Sequence, residues 1–126
     1  AATAISQDVH SIRAIEITHN AHTFTVNDLF KSILRDVQWN YEPSQQENIL
    51  KITGTWQPNL FASYNIDETI KPDLAVNGRV TIELQVEENI IQEETTTVTL
   101  TYNEENLLNE TGQETLHYLY EYYITK

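Results

Sequence analysis

The stretch Val80-Thr81-Ile82-Glu83-Leu84-Gln85-Val86-Glu87 alternates apolar and polar side chains without a break. A period of two puts Val80, Ile82, Leu84 and Val86 on one face of an extended chain and the polar residues on the other, the pattern of a strand lying on a core with its back to water. Asn77-Gly78 just before it is a turn signal. Thr96 to Tyr102 repeats the alternation through Val98, Leu100 and Tyr102, so the two strands are expected to pair antiparallel, with Glu88 to Glu94 as the connection.

Upstream, Leu50, Ile52, Gly54 and Trp56 keep the same period, with Gly54 marking a bulge or a close approach. Val37, Trp39 and Tyr41 do so before Pro43, after which Ser44 to Asn48 makes a polar turn. Trp39 and Trp56 both fall on inward registers, which makes them expected core anchors. Ahead of these strands Thr25 and Asp28 have capping-box spacing, with Phe24 and Leu29 at the staple positions, so a helix starts there. Its stripe of Val26, Leu29, Phe30, Ile33, Leu34 and Val37 runs to about Asp36. Val9 to Thr18 is rich in β-branched residues and reads as a first strand, turning at His19-Asn20-Ala21-His22.

Downstream, Thr111 and Glu114 repeat the cap spacing, and Leu116, Leu119, Tyr120 and Tyr123 follow at helical intervals, so a helix closes the chain. Four tyrosines, Tyr118, Tyr120, Tyr122 and Tyr123, are too many for one helix face, and their rings are expected to lie flat on the sheet with wet hydroxyls. Between Gln57 and Gly78 no period holds, yet Leu60, Phe61, Tyr64, Ile66, Ile70, Leu74 and Val76 make the segment too apolar for a linker. It is an irregular insertion that could hide a short helix or strand. The expected fold is α+β, an antiparallel sheet of about five strands with two helices packed on one face, as a single domain over residues 1–126 with a mobile lead-in at 1–8.

Composition narrows the chemistry. The 126 residues contain no cysteine, which excludes thiol nucleophiles, thiolate metal sites and disulfides, and no methionine, which fits an oxidising, extracytoplasmic address. The start Ala1-Ala2-Thr3-Ala4 fits removal of a leader after a small-residue motif, or loss of methionine from a cytoplasmic Met-Ala terminus. No apolar run approaches the roughly 20 residues of a transmembrane helix. Seven Lys and Arg against 19 Asp and Glu give a formal charge of −12, and from Val80 onward there are ten carboxylates with Lys126 as the one Lys or Arg. Such a field repels phosphates and anionic lipid and fits either a protein partner with a basic surface or plain solubility.

Site motifs are weak. His19 and His22 with His10, Asp8 or Glu16 have ligand types for zinc but no H-E-x-x-H spacing, so surface histidines are the simpler expectation and no metal or cofactor is assigned. Asp67-Glu68, Glu87-Glu88, Glu93-Glu94 and Glu104-Glu105 are adjacent pairs, which on a strand point to opposite faces and do not converge on a substrate. No serine lies in a G-x-S-x-G elbow and the three glycines form no phosphate loop, so no catalytic residue is assigned. Phe61 and Tyr64, set among Pro and Asn, read as exposed partner contacts, with Glu87, Glu88, Glu93 and Glu94 steering a basic partner.

The run Thr25-Val26-Asn27-Asp28-Leu29-Phe30, then Val37-Gln38-Trp39-Asn40-Tyr41, then Leu50-Lys51-Ile52-Thr53-Gly54-Thr55, closed by the Leu116 to Tyr123 helix, resembles a group of small exported bacterial domains, many of them lipoproteins. The resemblance covers about two-thirds of the chain, implies an envelope address and no known chemistry, and is interrupted by the Gln57 to Gly78 insertion. The expectation is a non-catalytic exported protein-binding domain in an accessory, chaperone-like, adhesive or immunity role. An intracellular acidic inhibitor mimicking nucleic acid and a carboxylate-based hydrolase are the alternatives.

Overall fold

A computed structural model describes residues 12–43, 48–57, 60, 61, 64, 66–88 and 90–125, with residues 42 and 43 as backbone alone. The 1–8 lead-in and the turn at 44–47 lie outside the described residues. In chain order the elements are β1 (Glu16–His19), β2 (His22–Thr25), α1 (Val26–Ile33), β3 (Arg35–Pro43), β4 (Asn48–Thr55), α2 (Lys71–Asn77), β5 (Arg79–Glu87), β6 (Ile90–Tyr102), β7 (Glu105–Thr111) and α3 (Gln113–Thr125).

Strands β3 to β7 form one antiparallel sheet in sequence order, and β1 and β2 form a separate hairpin. The fold is the expected α+β class with five strands in the main sheet, but membership and helix count differ. The Val9 to Thr18 strand is corrected: Ile12 and Arg13 are helical, pairing starts only at Glu16, and the hairpin stays apart from the main sheet. Its place in the count is taken by β7, and α2 emerges inside the insertion as a third helix.

Registers explain which face is buried. Trp39, Ile52, Ile82 and Val98 lie in one row across four strands, and Gly54, Val80, Leu100 and Leu108 in another. Ile52, Ile82, Val98, Val80 and Leu100 have no exposed surface, whereas the alternate row Thr53, Thr81, Thr99 and Asn109 faces the other way and is at least partly accessible. Trp56 is 3% exposed and is the expected core anchor. Trp39, expected there too, is only half-buried, because β3 is the sheet edge and covers it on one side.

The Thr25 cap forms as the spacing predicts: its Oγ1 accepts from the Asp28 N–H at 3.0 Å, and Asp28 Oδ2 accepts from the Thr25 N–H at 3.4 Å. The helix stops at Ile33 rather than Asp36. Leu34 turns extended, its N–H donating to the Phe30 carbonyl at 3.1 Å, and the chain crosses β4 at Gly54. A Cβ on Gly54 would stand 2.7 Å from Leu34 Cβ, so the close approach read from the sequence is the helix-to-strand corner itself.

Two tight turns share one backbone shape. Asn20 and Ala21 have φ of 50° and 67°, and Asn103 and Glu104 have the same pair. Positive φ at both central residues is the type I′ geometry whose twist matches flanking strands. The β5–β6 turn closes so early that Glu87 pairs with Ile90, so the expected Glu88 to Glu94 connection is mostly strand. Asn77-Gly78 ends α2 instead of turning a hairpin: the Gly78 N–H donates to the Leu74 carbonyl at 2.8 Å.

Candidate functional site

The insertion places its aromatics indoors, which corrects the expectation of an exposed contact loop. Phe61 is 0% exposed and Tyr64 is half-buried. Their rings meet edge to face at 5.3 Å; Phe61 stacks on Tyr118 at 5.7 Å and 16°, and Tyr64 meets Tyr118 edge-on at 5.3 Å. Burial, then the Glu110 charge and Tyr118, push the Tyr64 phenol up from its ordinary value. The Trp56 indole N–H donates to the Leu60 carbonyl at 3.0 Å, and the Tyr102 hydroxyl donates to Asp73 at the start of α2, so the insertion is sewn to β4, β6 and α3. Aperiodic sequence hid this, because the apolar residues are spaced to fill the end of a core rather than to follow one element.

The tyrosine run is likewise corrected. Tyr120 and Tyr123 pack on Phe24 of β2 at 5.7 and 4.8 Å, Tyr118 packs on the insertion, and the Tyr120 hydroxyl is not wet. It donates to Glu93 Oε2 at 3.0 Å, while Glu93 Oε1 lies 3.0 Å from His117 Nε2. Burial, and then the Glu93 charge and hydrogen bond, raise the Tyr120 phenol far above 10.0. Glu93 is thus turned to the helix side and is not available for steering.

His19 lies 2.9 Å from Glu121, which also accepts from the Asn20 amide, and its ring is 5.2 Å from that of His117. His22 is exposed, opposite His19 in the hairpin register. His10 and Asp8 lie outside the described residues; among those described, no three His, Asp or Glu groups come together as metal ligands. The His117–Glu93–Tyr120 contact was missed in the sequence because its partners are 24 and 27 residues apart with no motif linking them.

At the free end of the β5–β6 hairpin the other glutamates remain outside. Glu87, Glu88 and Glu94 are exposed, and Ile90, opposite Glu87, is 62% exposed. Gln85 and Gln92 pair beside them. The register slip between Glu83 and Gln85 separates this end from the Thr81–Thr99 part of the sheet. Asp67-Glu68 is exposed at the start of α2, where the Thr69 N–H and hydroxyl donate to Asp67 and hold its carboxyl below the ordinary value.

A cavity of about 330 Å³ opens at the other edge of the sheet, lined by Arg13, Lys31, Leu34, Asp36, Val37 and Trp39. Arg13 is fixed: Nε and Nη2 donate to Asn27 Oδ1 at 2.9 and 2.6 Å, and the guanidinium sits 4.6 Å over the Trp39 ring. Asp36 takes φ 52° at the bulge between Arg35 and Gln38. No family model matches the chain, and no curated protein and no solved structure matches it significantly.

Proposed function

We propose that the chain is a non-catalytic, exported bacterial domain that binds a protein partner with a basic surface, docking through the free end of the β5–β6 hairpin. The observation that carries this is Ile90, 62% exposed on a strand end with Glu87 opposite, Glu88 in the adjoining turn and Glu94 exposed further along β6. Burying one isoleucine in a partner's pocket contributes about 1.5–3 kcal/mol, the scale of a binding hot spot. The surrounding carboxylates add a charged rim, which steers encounter and rejects acidic competitors more than it adds affinity. A non-catalytic role is supported by how these ionisable residues are spent, His19 on Glu121, and His117 and Tyr120 on Glu93. Export rests on the sulfur-free composition.

A benzophenone amino acid at position 90, and another at Val76, the other large exposed apolar residue among those described, tests the assignment. Position 90 should capture a discrete protein and position 76 should not. With that protein purified, Ile90→Ser should weaken binding at least about tenfold. E87K/E88K/E94K should slow association and remove most of its salt dependence. Unchanged affinity in both variants would contradict the proposal.

A further inference from the structure

The cavity at the β3 edge gathers charges of both signs that no ion pair among the described residues joins. Of seven Lys and Arg residues in a chain of charge −12, two line this one cavity, and a carboxylate lines it with them. Among the described residues neither Arg13 nor Lys31 comes within 4.0 Å of any carboxylate, Asp36 included, although carboxylates outnumber bases 19 to 7. Arg13 has Nε and one Nη2 proton committed to Asn27 and its face to Trp39, while Nη1 has no acceptor among the described residues. That leaves a preoriented pair of donors on a guanidinium that has already lost its rotamer freedom, which is what carboxylate recognition requires. Leu34, Val37 and the Trp39 ring supply the apolar wall.

From these features we infer that the cavity is a binding site for a small zwitterion, an α-amino acid with an apolar side chain. The carboxylate goes to Arg13 and Lys31, the ammonium to Asp36, and the side chain against Leu34, Val37 and Trp39. A simple anion would meet the Asp36 carboxylate uncompensated, and a simple cation would meet two positive charges; only a ligand carrying both signs satisfies all three groups. A volume near 330 Å³ falls at the small end of ligand sites, roughly 300–1,000 Å³, and suits a molecule of about ten heavy atoms. Two charge-assisted contacts in an open site give a Kd of about 0.1–1 mM.

The probe is leucine, titrated into the ¹⁵N-labelled full chain, with the two indole N–H signals as reporters. Leucine should move the Trp39 indole signal saturably and leave that of Trp56, which is bonded to the Leu60 carbonyl, in place. N-acetyl-leucine and leucine methyl ester, each missing one charge, should bind at least about tenfold more weakly. Asp36→Asn, which tolerates the left-handed backbone, should weaken leucine about tenfold yet tighten N-acetyl-leucine, whose carboxylate no longer meets an uncompensated like charge. Lys31→Gln should weaken N-acetyl-leucine and tighten the methyl ester, which then meets one positive charge fewer. Absence of a saturable Trp39 shift, or equal binding of leucine and N-acetyl-leucine to the unaltered chain, overturns the inference, and neither outcome depends on a variant folding.

Discussion

Phe61→Ala separates a core anchor from a surface contact. The ring is 0% exposed, stacked on Tyr118 and met edge-on by Tyr64. A buried phenylalanine hides about 150–250 Å², which at about 25 cal/mol per Å² gives at most about 4–6 kcal/mol, part of which the alanine methyl retains. Truncation in cores costs about 3–5 kcal/mol once the residual cavity is included. Phe61 also has φ 64°, and alanine inherits that strain because it keeps a Cβ, so no backbone relief offsets the loss. The expected destabilisation is about 3–4 kcal/mol, a large share of the 5–15 kcal/mol typical of a domain, with Tm lower by roughly 10–20 °C. Urea unfolding followed by far-ultraviolet circular dichroism and tryptophan fluorescence measures it, and Phe61→Leu should lose only about a third as much. A change under about 0.5 kcal/mol would mean that the ring is not packed as described, since only surface positions are that tolerant.

Gly54→Ala should cost about 2–3 kcal/mol by chemical denaturation, because its Cβ would stand 2.7 Å from Leu34 Cβ and 3.0 Å from the Arg35 carbonyl. Glu104→Gly should raise stability by about 0.5–1 kcal/mol, since glycine removes the left-handed penalty at φ 67° that exceeds its extra chain entropy. Tyr120 supplies a pH test: its phenol is raised in the fold, so its contribution is complete below pH 10.0 and declines as the unfolded chain ionises above it. Tyr120→Phe should be about 1–2 kcal/mol less stable at pH 7, having lost the Glu93 bond, but should lack about 1.4 kcal/mol per pH unit of the alkaline decline seen in denaturant midpoints. Parallel alkaline slopes in the two proteins would contradict the buried placement of that hydroxyl.

What the sequence made legible follows from which residues answer to local rules. Val80 to Glu87 and the Thr25 cap form where expected, and the Leu116 helix forms too, but it starts at Gln113, so Thr111 ends β7 instead of capping it. Strand β7 carries no period of its own: Leu107 and Leu108 are adjacent, so alternation fails, and its turn uses Asn103-Glu104 where glycine would have announced a hairpin. Ile12 misled through β-branching, a preference that tertiary packing overrides where its side chain is fully buried in the core from a short helical segment. The site was less legible than the fold. Glu93 and Glu94 are neighbours of identical type, yet one is drawn inward by His117 and Tyr120 and the other stays exposed, a difference set wholly by residues more than twenty positions away. Arg13 and Trp39 meet only because a corner at Leu34 folds β3 back beside the first described turn.

Hydrogen exchange of the domain, free and saturated with the protein captured at position 90, bears most directly on the docking assignment. Amides from Gln85 to Glu94 should slow in the complex, while those of the edge strands Arg35–Pro43 and Glu105–Thr111 keep their free rates. Protection along either edge strand, with the hairpin end unchanged, would place the partner elsewhere and contradict the account.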